Sequence, residues 1–202
     1  MLARLWRKFV LAPAGRGHPI PAAAADREYA SGAWDHFESA AESARYAAVA
    51  AVIARLHPTG AVLDLGCGPG RLADLLRMTP PRRYLGVDFS AEAVARARRR
   101  GLPGCEFAQG DFETWRAAEP FAAIVFNEAV GYSRDPRALL AAFAPALKAD
   151  GHLVVSHFRS AHWPALWRRL ESAFTVVEAH VVANATGQTW DVKALRPRPP
   201  AA

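Results

Sequence analysis

Only two cysteines, Cys67 and Cys105, occur in the chain. That is too few for a disulfide framework, and with Cys67 inside a glycine-rich loop a reducing compartment, the cytoplasm, is expected. Neither has the spacing of a metal site, so no metal is expected. The sequence also lacks the stretch of about 18 consecutive apolar residues that a membrane-spanning helix needs. Two phosphate-binding signatures are missing as well. The loop ends Gly68-Pro69-Gly70-Arg71 where a P-loop ends Gly-Lys-Ser/Thr. A dinucleotide fingerprint would require glycine at position 71, where Arg71 stands.

What is present is a chain of 202 residues, 51% hydrophobic, which suffices for one α/β domain with a buried core. The rest is organised around Ala61 to Gly70, AVLDLGCGPG. An apolar run carrying one carboxylate, Asp64, breaks into glycines at alternate positions, Gly66, Gly68 and Gly70, and then into the helically spaced segment from Arg71 to Met78. This reads as strand, tight turn and helix start, with unpaired backbone N–H groups facing whatever sits above the loop. Asp64 would repel a pyrophosphate but suits a ligand carrying ammonium and sulfonium charge. Tyr84 to Asp88 is a second strand ending in an acid, about 20 residues past the loop, where a ribose diol needs an acceptor. Phe89 follows it, then a helix from Ser90 to Arg100, with Ser90 as its N-cap and Gly101 as its stop. The third strand, Cys105 to Gln109, ends at Gly110-Asp111-Phe112, and the fourth, Phe121 to Asn127, ends in polar Asn127 and Glu128. Both ends should look into a cleft at the carboxyl edge of a parallel sheet.

The LDLGCGPG motif and the order of acids after it resemble the class I S-adenosylmethionine-dependent methyltransferases. The resemblance covers roughly residues 26–196. It implies a Rossmann-like, doubly wound, seven-stranded, mostly parallel sheet with an antiparallel last strand, and S-adenosylmethionine as cofactor. Carried over residue by residue, it places Asp64, Gly66, Cys67, Gly68, Gly70 and Asn127 around the methionine part of the cofactor. Asp88 then falls on the ribose, and Phe89, Asp111 and Phe112 on the adenine. The segment Asn127-Glu128-Ala129-Val130 departs from the Asn-Pro-Pro-Tyr type of nucleobase-amino methyltransferases, which argues against a nucleobase acceptor.

Around this frame lie less specific features. Residues 1–25 form a basic extension and linker, residues 26–196 a single methyltransferase domain with an N-terminal lid, and residues 197–202 a Pro-rich tail. Within residues 1–11, Leu2, Leu5, Trp6 and Phe9 alternate with Arg4, Arg7 and Lys8. The run is too broken by charge for a secretory segment, and a frayed or self-docked terminus is expected in preference to weak membrane-surface contact. Residues 39–56 read as a helix whose apolar stripe carries a charge, Arg45, that asks for a partner. Asp135-Pro136 opens the next helix, and Gly151 to His157 is the fifth strand. A helix over 162–171 and strands near 174–182 and 189–195 complete the pattern. His157, at the fifth strand's end, is a candidate general base, because the unperturbed imidazole pKa suits that work. Trp34, His36, Tyr132, Phe158 and Trp163 flank strand ends and are candidates for the acceptor pocket. The formal charge of +6 is spread over three places, one of them the last turn of a helix, where arginine is ordinary. Nucleic-acid binding is therefore disfavoured.

The expected activity is methyl transfer to an oxygen or nitrogen of a small molecule. The rival readings are a regulatory or RNA-associated module that binds the same cofactor, and an NAD-dependent oxidoreductase, which Asp64 and Arg71 disfavour.

Overall fold

Each apolar run bounded by turn residues becomes a strand: β1 Val62–Leu65, β2 Tyr84–Asp88, β3 Cys105–Gln109, β4 Phe121–Asn127, β5 Leu147–Phe158, β6 Phe174–Ala183 and β7 Thr189–Pro197. The computed structural model describes residues 14–77, 83–160 and 163–198. The basic segment at residues 1–11, the expected helix ends at Met78 and His162, and all of the tail after Arg198 lie outside them. The strands form one seven-stranded sheet in the order β3-β2-β1-β4-β5-β7-β6. β1 to β5 run parallel, and β7 lies antiparallel between β5 and β6. The sheet is thus the expected one. The direction of winding reverses between β1 and β4, which opens a crevice above their carboxyl ends.

Two layers of helices explain why β1 and β4 are apolar on both faces. Leu63, Leu65, Phe126, Leu153 and Val155 point into one layer. It is closed by α5 (Pro136–Phe143) and α6 (Trp163–Glu171) through Leu139, Leu140, Phe143, Leu166, Trp167 and Leu170. Val62, Val125, Val154 and Val192 point the other way, against α2 (Ser43–Leu56), α3 (Arg71–Leu76) and α4 (Ala91–Arg99). The caps follow sequence chemistry. Ser90 Oγ accepts from the Ala93 N–H at 3.2 Å, and Asp135 Oδ1 accepts from the Ala138 N–H at 3.2 Å, ahead of Pro136.

Two differences from expectation concern the lid. The alanine run expected as linker is a helix, α1, Ala22–Ala30, opened by Pro21. Alanine's helix propensity and burial of Ala25 and Tyr29 together outweigh the flanking prolines. The helix expected from residue 39 begins only at Ser43, because Ser39 is extended (ψ 164°) and separates two 3₁₀ turns, Asp35–Glu38 and Ala40–Glu42. The chain therefore folds back over the crevice before α2 starts.

Candidate active site

The glycine loop is shaped by backbone angles open to glycine: φ is +75° at Gly66, +53° at Gly68 and +83° at Gly70. Space matters as well. A Cβ on Gly66 would lie 2.8 Å from the Cβ of Ala129, and one on Gly68 would lie 3.0 Å from the Tyr29 hydroxyl. Gly70 does its work away from the crevice, letting α3 start against Phe107 and Ala97. The loop is fastened to β2, since the Gly66 N–H donates to Val87 O at 2.8 Å and the Gly68 N–H to Asp88 Oδ2 at 2.9 Å.

Two acids lie under and beside this loop. Asp64 is 1% exposed on β1; its Oδ2 accepts from the Tyr84 hydroxyl at 2.5 Å, and its Oδ1 is buried with no partner. Burial raises its pKa to about 7, against the hydrogen bond from Tyr84. Asp88, 3% exposed, accepts the N–H groups of Gly68 and Ser90, one on each oxygen. Burial raises it to about 6, and those two N–H groups oppose the rise.

The other side of the crevice is assembled from distant parts of the chain. Arg45 of α2 is 1% exposed; its Nε donates to Glu42 Oε2 at 2.9 Å, its Nη1 donates to Asn127 Oδ1, and it lies 4.3 Å from the Tyr46 ring centroid. Ser156 on β5 donates from Oγ to Asn127 Oδ1 at 2.7 Å and accepts the Glu128 N–H at 3.0 Å. Glu128 has φ +59°, alone among the described non-glycine residues in that region. Its Oε1 is buried without a partner, and burial raises its pKa to about 7, with Arg45 opposing.

The lid closes the crevice from above. Tyr29 and Trp34 meet edge to face with centroids 4.7 Å apart, and Trp34 reaches Tyr132 at 6.0 Å and Phe37 at 6.4 Å. Its ties run to α4. Asp26 Oδ1 accepts from Ser90 Oγ at 2.6 Å, while Arg96 donates to Tyr29 O at 2.6 Å and to Asp35 at 2.8 Å. Arg100 binds Glu38 and Asp74, and Arg98 binds Phe107 O. The arginines at the end of α4 thus fasten the lid, the glycine loop and β3. Sequence reading gave them only the helix dipole.

Two cavities result. An inner one of about 60 Å³ is lined by Tyr29, Trp34, Phe37, Arg45, Tyr46, Gly66, Cys67, Gly68, Pro69, Asp88, Phe89, Phe112, Asn127, Glu128, Ala129 and Tyr132. An outer one of about 840 Å³ shares Phe89, Phe112 and Tyr132 with it and adds Asp111, Gln109, Thr114, Arg134 and the segment Pro19 to Ala22. The structure therefore brings together Gly66, Cys67, Gly68, Asp88, Phe89, Asp111, Phe112, Asn127, Trp34 and Tyr132, with Asp64 directly beneath.

Six expected residues line neither of these cavities: Asp64 beneath the loop, Gly70 beside α3, and His157, Phe158, Trp163 and His36. His157 shares the side of β5 that carries Leu153 and Val155, toward α5 and α6, and lies behind Gly131, where a Cβ would sit 3.8 Å from its Cε1. Burial lowers its pKa to about 4, so it is neutral near pH 7 but removed from the crevice. Phe158 packs on Trp190 at 5.8 Å, Trp163 is covered by the Arg159 guanidinium at 4.6 Å, and His36 stacks on Phe37 at 4.1 Å with Nδ1 bonded to Ala33 O. Tyr29 and Arg45 are the additions, and Glu128 lines the crevice as its strand end implied. Of these, Arg45 was signalled by a charge on an apolar stripe with Glu42 one turn before it.

Comparison with known proteins bears on this arrangement. A family model for a methyltransferase domain matches residues 56–195. The trans-aconitate 2-methyltransferase of Azoarcus sp. (strain BH72) is 31% identical over 152 residues, which is 70% of this chain and 58% of that relative's length. The chain thus spans less than two thirds of this relative. Among solved structures, N-methyltransferase NodS from Bradyrhizobium japonicum WM9, crystallised with S-adenosylhomocysteine, superposes with a TM-score of 0.70 at 21% identity, covering 82% of this chain and 92% of its own. A TehB-like SAM-dependent methyltransferase from Corynebacterium glutamicum gives 0.64 at 23% identity, covering 87% of this chain and all of its own. These two likenesses concern the fold.

Proposed function

We propose that this chain, which belongs to the methyltransferase-domain family, is a class I enzyme that moves a methyl group from S-adenosylmethionine to an oxygen or nitrogen of a small-molecule acceptor. The observation that carries this reading is Asp64 Oδ1, a buried carboxylate oxygen without a partner beneath a glycine loop. A buried, half-satisfied carboxylate is costly unless a ligand completes it. The donor set around the crevice fits the cofactor part by part. Asp64 would face its ammonium, and Arg45, the one cation among the described residues lining the inner cavity, its carboxylate. Asp88 would accept the ribose hydroxyls; Phe89 and Phe112 would flank the adenine, with Asp111 near its amino group.

When bound, the cofactor supplies a methyl group already activated by sulfonium charge. The chain's residues have the remaining work of alignment and water exclusion. Tyr29, Trp34 and Phe37 cover the crevice from the lid, and Tyr132 closes it from the segment after β4. With the lid seated the inner space is about 60 Å³, so α1 and the turns after it must lift for the cofactor to enter.

Relatives bear the name trans-aconitate 2-methyltransferase, which makes a small carboxylic acid one candidate acceptor. The inner cavity is narrow and aromatic, which supports a small acceptor over a polymer. The test is incubation with methyl-labelled S-adenosylmethionine and a panel of small acids, alcohols and amines, reading label transfer and S-adenosylhomocysteine. Label on one small-molecule class is expected. No transfer to any acceptor, together with RNA binding that falls steeply with salt, would favour the module reading.

A further inference from the structure

Within this reading the acceptor end of the crevice has its own charge pattern. Asn127 and Ser156 bind each other, and Arg45 is neutralised by Glu42, held by Asn127 and stacked on Tyr46. Glu128 is left over. It lines the inner cavity, its backbone is held in the left-handed region by the N–H bond to Ser156, and its Oε1 is buried with no partner. Trp34, Phe37 and Tyr132 line the same cavity. Aromatic faces beside a carboxylate with one oxygen still unpaired form a binding site for an organic cation. A carboxylate acceptor would find the opposite: a like charge at Glu128, and a guanidinium shared between Glu42 and, in the reading above, the cofactor's own carboxylate.

We infer that Glu128 is the acceptor-binding residue and that the acceptor is an amine, held as its ammonium between Glu128 and the aromatic walls. The same carboxylate can take the proton the nitrogen must lose. The balance is simple. One N–H bond breaks and its proton passes to Glu128 Oε1, which frees the nitrogen pair. That pair forms the N–CH₃ bond as the methyl–sulfur bond breaks, the bonding electrons go to sulfur, and Glu128 returns its proton to solvent. An ammonium and a sulfonium become a methylated ammonium, a thioether and one released proton. Burial pushes the Glu128 carboxyl up, to about 7, with the Glu42 charge adding to the rise and Arg45 and the Phe158 N–H opposing it, which suits exchange of that proton near neutrality.

This inference rests on the methyltransferase reading, and calorimetry of the full chain separates the two. S-Adenosylhomocysteine is titrated first; its failure to bind would count against the family reading itself. With it bound, benzylamine, ethanolamine and spermidine are titrated against benzoate and citrate. At least one amine should bind ten or more times more tightly than either acid. Glu128→Gln should weaken that amine tenfold or more and leave S-adenosylhomocysteine within about twofold. Trp34→Leu, which leaves Glu128 in place, should weaken the same amine. Tighter binding of an acid, no binding of any amine, or an equal loss of amine and S-adenosylhomocysteine in Glu128→Gln would overturn the assignment.

Discussion

The two halves of the crevice are built in opposite ways. The half above β1, β2 and β3 comes from short contiguous pieces, a strand end and the few residues after it: Asp64 to Gly70, Asp88 to Ser90, Asp111 and Phe112. The half above β4 and β5 is a network across the chain, in which Arg45 meets Asn127, and Asn127 and Glu128 both meet Ser156. A contiguous half needs only the right turn and the right acid, so it tolerates any surroundings that keep the sheet. A networked half depends on each partner being present, because its groups are buried and charged.

The comparison breaks most visibly at Arg45. Arg45→Met leaves Glu42 buried and unpaired and is expected to cost about 3–5 kcal/mol of stability by denaturant titration. The double variant Glu42→Leu/Arg45→Met should recover part of that loss. A cost under about 1 kcal/mol for the single variant would mean that the network is not holding the lid to the sheet.

A change in the contiguous half should act on binding more than on folding. If Asp88 accepts two ribose hydroxyls as proposed, Asp88→Ala should weaken S-adenosylhomocysteine by about 2–3 kcal/mol, measured calorimetrically. Unchanged affinity would remove Asp88 from the cofactor site.

The pH response sharpens the same contrast. Asp64, raised to about 7, binds a proton in the folded chain that the unfolded chain has already released. Its contribution to stability is therefore present in acid and lost as pH rises through about 7. Ligand affinity should move the other way, since an ammonium favours the ionised carboxylate. Binding of S-adenosylhomocysteine should strengthen by up to about tenfold per unit as pH rises toward 7 and level off above it. A flat profile would mean that Asp64 does not meet the ligand's charge.

The smallest effect is expected at His157. It lies behind Gly131 and outside both cavities, so His157→Asn should change methyl transfer less than about twofold and leave its pH profile in place. A loss of the acid limb of that profile would return the histidine to the site.

What could be read from the sequence follows the same division. The places of Asp64, the glycines, Asp88 and Asp111 at strand ends are legible because each is tied to a local turn, and the sheet is legible because its strands are apolar runs separated by turn residues. His157 does lie at the strand end expected of it, but nearness to that end was weighed without the alternation of faces. Leu153 and Val155 put it on the α5 and α6 side, whereas Ser156 faces Asn127. The lid helix was hidden by prolines on one side and aromatics on the other. Beyond alanine's propensity and the burial of Ala25 and Tyr29, tertiary ties that no local pattern carries hold it in place, Asp26 to Ser90 and Arg96 to the Tyr29 carbonyl. Glu128 could be placed at the crevice from its strand end, but its unpaired oxygen and left-handed backbone depend on Ser156, far along the chain.

The central claim is the cofactor, and titrating the purified chain with S-adenosylhomocysteine and then with NAD tests it most directly. The account predicts binding of S-adenosylhomocysteine at about micromolar strength and none of NAD. Tight binding of NAD with no measurable affinity for S-adenosylhomocysteine would contradict it.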